Sequence, residues 1–210
     1  MMLTRGILRA EEVDDFYHTI QLGVLPSSTC LSYRTGSYRE CLLAAFDSNK
    51  KMILIRQGDE VVGRACLRLT KGGFQKPSAL TFGFADLAQS DRTQAVNLAD
   101  QEQLVLFLER MYTSHLDKEG ERRAYQLAVS LVTKKAAGLG ATAVLAKCYA
   151  SCCESDQYFS APFFVYISKS KNGLQYLDSL GGAAATSDEE KYVESGFMIR
   201  QSDEYVQKEG

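Results

Sequence analysis

Residues Met52–Leu69, MILIRQGDEVVGRACLRL, decide the fold class. Met52–Arg56 and Val61–Leu69 are rich in residues that suit a pleated, half-buried surface, and Gln57-Gly58-Asp59-Glu60 between them has the composition of a turn. The spacing predicts an antiparallel β-hairpin. In the second run Val62, Arg64, Cys66, Arg68 and Thr70 alternate with Val61, Gly63, Ala65, Leu67 and Leu69, so one face of the strand is more polar than the other. Leu67 and Leu69 are expected to face the core at the centre of a mixed sheet. A hairpin of this kind excludes an all-helical bundle.

Outward from the hairpin, strands and helices interleave. Leu3–Leu8 reads as a strand, and Glu11–Leu22, with acids in its first turn and Val13, Phe16, Tyr17 and Ile20 at helical spacing, reads as a helix. Tyr38–Phe46 is a second helical segment, with Cys41, Leu42 and Ala45 on one face. Leu80–Phe84 has strand composition, and Leu104–Thr113 fits a helix or a buried strand equally well. Glu121–Ala137 is predicted helical, with Ala124, Leu127, Ala128, Leu131 and Val132 on one stripe and Gly138 to end it. Thr142–Ala146 and Phe163–Ile167 read as strands, Asn172–Leu180 as helical, and Gly181–Ala185 as flexible. Asp188–Val193 reads as a last helix and Phe197–Gln201 as a last strand. The fold class expected is α/β (α+β), a mixed and mostly antiparallel sheet with helices on both faces. No repeat or low-complexity linker divides the 210 residues, so a single domain over 1–210 is expected, with an insertion at about 148–186.

Composition narrows the function classes. The chain is 45% apolar and can bury a sizeable core. Its 24 Lys and Arg against 26 Asp and Glu leave a formal charge of −2, which offers no overall field to gather nucleic acid or anionic lipid. Pure apolar runs such as Leu104–Leu108 are far shorter than the roughly 20 residues of a membrane span. Met1–Asp15 carries acids where a secretory leader would be apolar, and the six irregularly spaced cysteines suit free thiols, so a soluble cytoplasmic protein is expected.

Three segments carry a family resemblance. They are the hairpin with its Val62-Gly63 pair, the unit from Glu109 to Ala146, and Tyr192-Val193-Glu194-Ser195-Gly196-Phe197, which matches a Tyr-x-x-x-Gly-Phe ending. With the order of elements, they resemble the GNAT superfamily of acyl-CoA-dependent N-acyltransferases. The resemblance implies a strand, helix and strand that hold acetyl-CoA or another acyl-CoA, with Met111 and Thr113 on the strand and Gly120, Arg122 and Arg123 at the helix start. It implies Tyr192 as the acid that protonates the departing thiolate, with Tyr176 the alternative. The family's pyrophosphate loop has Gln or Arg first and Gly or Ala last; aligned on Gly120, this chain has Asp117 and Arg122 there.

The residues themselves allow several chemistries. A helix N-terminus near Gly120 supplies amides and a dipole for an anion, while Lys118, Glu119, Glu121 and Arg122 suit surface ion pairs equally well. A base could come from Glu109, Asp86 or Glu60. Cys30 could be a nucleophile if paired with His18 or His115, the only imidazoles. Cys148, Cys152 and Cys153 lack the second close pair of a closed zinc site, and no metal is expected. The function expected is transfer of an acetyl or other acyl group from CoA to a small-molecule or protein amine. The alternative is a noncatalytic GNAT-like interaction module within a larger assembly, engaging a protein partner or a second copy of itself, with no membrane or nucleic acid involved.

Overall fold

The computed structural model describes residues 6–74, 102–153, 157–177, 180 and 186–200, with backbone alone at 195–198. Its main feature is a mixed eight-stranded sheet. The hairpin is β2 (Lys50–Gln57) and β3 (Glu60–Gly73), joined by a turn in which Gly58 takes φ +63°, a conformation that favours glycine. β1 (Leu8–Val13) pairs with β2, and β4 (Gln103–Leu108) pairs with the far half of β3. β5 (Tyr112–Thr113) returns to β3 at Gly63 and Arg64. β6 (Thr142–Leu145) lies parallel to β4, and β7 (Tyr158–Ile167) and β10 (Lys191–Arg200) complete the order β1-β2-β3-β4-β6-β10-β7. A separate two-stranded piece joins β8 (Gln175–Tyr176) to β9 (Thr186–Ser187).

Alternation along β2 separates two cores. Ile53 and Ile55 belong to the larger cluster beneath α2 (Lys118–Leu139), whereas Met52 and Leu54 join Leu22, Leu31, Cys41 and Leu42 on the other face. That second face is covered by the short helix α1 (Phe16–Ile20), the segment after it and a 3₁₀ helix at Arg39–Phe46. Helical segments therefore lie on both faces, as the mixed α/β class requires.

The ambiguous segment resolves as strand, with Val105–Leu108 all buried in β4. The long helix buries Ala124, Ala128, Val129, Val132 and Ala136, leaving Leu127 and Leu131 at the margin of the stripe. It ends at Gly140, with φ +61°, two residues beyond the expected Gly138.

Four expectations are corrected. Glu11–Val13 belong to β1, because Glu11 pairs with Arg56 and Glu12 with Lys51 and Lys135, and helix is confined to Phe16–Ile20. Asn172–Leu177, the described part of the Asn172–Leu180 segment, is not helical: Gln175 and Tyr176 form β8. Lys191–Val193 are extended, being paired with β7 in the register Lys191↔Ile167 to Arg200↔Tyr158. Leu67 is buried but Leu69 is 37% exposed, because it lines an open depression with Asn49 and the likewise exposed Leu104. Leu80–Phe84, Asp86 and Gly181–Ala185 lie outside the described residues.

Candidate functional site

The polar face of β3 is inside the protein. Arg64 and Arg68 project on the same side as Met52 and Leu54 of β2, beneath the cover formed by residues 16–46, and are 3% and 2% exposed. Lys50, opposite Arg68 on β2, is also buried. A buried charge is costly unless hydrogen-bonded and paired. Arg68 meets this through Glu109, whose Oε1 accepts from Nε at 2.9 Å and from Nη2 at 2.7 Å, while Nη1 donates to Gln175 Oε1 at 3.2 Å. Lys50 Nζ donates to the Ala44 carbonyl and Gln175 Oε1, both at 2.6 Å, and lies 3.3 Å from Asp47 Oδ2. Its pKa is nonetheless drawn down, first by burial and then by Arg68.

Among the described residues no carboxylate is bonded to Arg64. Nε donates to the Leu25 carbonyl at 3.1 Å, Nη2 to Thr29 Oγ1 at 3.2 Å, and the guanidinium lies 4.2 Å from the centre of the Tyr112 ring. Burial draws its pKa below the usual arginine range. Tyr149 holds the chain at Glu109 by donating to that residue's carbonyl at 2.9 Å. The pocket between these groups encloses about 30 Å³ and is also lined by Cys66, Tyr112 and Tyr176. That is room for roughly two waters or a carboxylate group.

Two of the three expected catalytic residues, Glu109 and Tyr176, line this pocket. Tyr192 does not. Its hydroxyl donates to Glu102 beside Lys71, its ring packs 5.3 Å from that of Tyr166, and burial raises its pKa. Cys30 Sγ lies 2.6 Å from Tyr176 Oη. His18, the possible partner of Cys30, is bound to Asp15 at 2.7 Å and to Arg56 at 3.0 Å. His115, at φ +59°, lines an open depression with Glu60 and Asp117 at the start of α2. Burial pushes Cys66 and Cys153 up to about 12 and raises Cys148, which keeps these thiols protonated and unreactive. Among the described residues no group of three His, Cys, Asp or Glu could hold a metal ion.

The start of α2 is occupied by its own side chains. Asp117 is the N-cap, and its Oδ1 accepts from the Gly120 amide at 2.7 Å. Glu119 accepts from Arg122 at 2.9 and 3.0 Å and from Arg123 at 3.0 Å, and these bonds hold its carboxyl down at about 2. Met111 is buried, and the Thr113 hydroxyl donates to Glu121 at 3.0 Å. Asp117→Ala should therefore cost about 1 kcal/mol in urea denaturation, the usual loss of an N-cap. Because Glu119 titrates lower in the folded chain, its contribution is complete above the ordinary carboxylate range and lost as pH falls toward about 2. Stability curves of wild type and Glu119→Gln should accordingly converge in strong acid.

Sequence reasoning missed Lys50, Arg64, Arg68 and Gln175 as site residues. The polar alternation in β3 was the available signal for the arginines. No protein-family model matches the chain, and no curated protein matches it.

Proposed function

We propose that this chain is a noncatalytic module of GNAT-like architecture that works by protein contact within a larger assembly and does not use acyl-CoA. The order of the central hairpin, β4, α2 and the parallel β6 supports the architectural part of this reading. The observation that carries the functional part is the state of the α2 start. A pyrophosphate needs free amides and free cations there. The Asp117 carboxylate already holds the Gly120 amide, and Glu119 already binds both arginines. A bound anion would face two carboxylates at close range, and their displacement opposes binding.

An exposed apolar patch supports the contact role. Phe16 and Tyr17 on α1 are 72% and 64% exposed, and the Phe16 ring lies 5.3 Å from that of Phe46, one 3₁₀ turn beyond the exposed Leu43. Adjacent large apolar side chains left in water are typical of interaction surfaces.

The second reading, acyl transfer to an amine, rests on Glu109 and Tyr176 sharing one pocket. A thermal-unfolding series with acetyl-CoA separates the two. A ligand at 100 times its Kd adds about 2.7 kcal/mol of stability. The module reading predicts no shift of Tm up to about 1 mM acetyl-CoA, a concentration at which binding worth about 4 kcal/mol is half-saturated. A saturable rise in Tm at tens of micromolar would overturn it and favour the enzyme.

A further inference from the structure

We propose that the pocket on the buried polar face of the hairpin is a binding site for a small monocarboxylate of about acetate size, whose head group pairs with Arg64. The chemistry follows from the charge balance. Lys50, Arg64 and Arg68 bring three cations to the pocket, and Arg110 adds a fourth at its exposed margin. Among the described residues Glu109 is the single carboxylate on the pocket wall, with Asp47 behind Lys50. Glu109 is committed to Arg68, and Asp47 to Lys50 and Gln175. The excess charge is that of Arg64. Its Nε and Nη2 are bonded to neutral oxygens, and Glu109 acts on it through space, with no bond between them among the described residues. A guanidinium in that state has no directly bonded counter-ion among the described residues, and a planar carboxylate fits its fork.

The rest of the wall selects for size and polarity. Leu22, Leu31, Cys41 and Ala44 are apolar and buried, so the end of the ligand away from Arg64 meets a surface suited to a methyl or short alkyl group. About 30 Å³ excludes a cofactor or a peptide. The tetrahedral dianions sulfate and phosphate present no apolar end to this wall. The site is separate from the start of α2, and the proposal holds whether or not acyl-CoA binds there.

The test is a titration of the wild-type chain with sodium acetate against sodium chloride and sodium sulfate at fixed ionic strength and neutral pH. Saturation-transfer NMR on the acetate methyl and the unfolding midpoint are the readouts. The expected result is a one-to-one, saturable response to acetate that chloride and sulfate do not reproduce. Arg64→Lys should weaken it at least tenfold. Ala45→Leu, which takes up pocket volume and keeps Arg64 itself, should do the same and provides a second variant if Arg64→Lys does not fold. Absence of a saturable response in the wild type overturns the proposal, as does an equal response to chloride. Undiminished acetate binding in folded Ala45→Leu also overturns it.

Discussion

Glu109→Gln should lower the free energy of unfolding by about 3 to 5 kcal/mol, the cost of breaking a buried ion pair from one side. The substitution keeps the shape of the side chain and removes its charge, leaving Arg68, 2% exposed, with neutral partners only. Urea denaturation of the variant is the direct measurement. The pair is not expected to be worth that much in itself, since desolvation of both ions offsets their attraction. Arg68→Met combined with Glu109→Leu should therefore be more stable than Glu109→Gln alone. A loss below about 1 kcal/mol in the single variant would mean that Arg68 draws its compensation from elsewhere in the pocket.

Phe107→Ala should be similarly damaging, at about 3 to 5 kcal/mol, because the ring is fully buried in β4, which is paired on both sides by β3 and β6. Leu127→Ala is the informative companion. On the evenly spaced apolar stripe it would count as a central core residue, yet it packs at the margin while Ala124, Ala128 and Val132 make the close contact with the sheet. Its loss should fall at or below about 2 kcal/mol, the low end for a core leucine. Equal losses in the two variants would place α2 on the sheet by a different face.

The contrast shows which features local pattern could reveal. The hairpin was readable because β2 and β3 are neighbours in sequence and their turn contains Gly58. The long helix was readable because a stripe of small and branched apolar residues spans several turns. Local spacing failed where the decisive partner is distant. The acids before Phe16 look like a helix's first turn, but Glu11 and Glu12 belong to a strand whose neighbours supply Arg56 and Lys51. Asp188–Val193 also read as helical on its own, yet Lys191–Val193 are extended because they begin the ten-residue pairing of β10 with β7.

The candidate site divides in the same way. Glu109 and Tyr176 could be named from residue type, but their meeting depends on β8 lying against the 3₁₀ helix and on the chain between residues 20 and 38 roofing the sheet. Arg64 and Arg68 alternate with apolar residues as solvent-facing side chains do. Their burial follows from that roof, which periodicity within β3 cannot report. At α2 both the glycine and the arginines could be named from residue type; the direction of their bonds, toward Asp117 and Glu119, was not legible from spacing alone.

The Gly120 amide tests the central claim most directly. In ¹H–¹⁵N spectra its resonance should be shifted by its bond to Asp117, should move in Asp117→Asn, and should stay fixed when acetyl-CoA is added to the wild type at up to about 1 mM. A saturable shift of that resonance with stoichiometric acetyl-CoA would contradict the account, because it would mean that the cofactor displaces the cap and takes the helix start for itself.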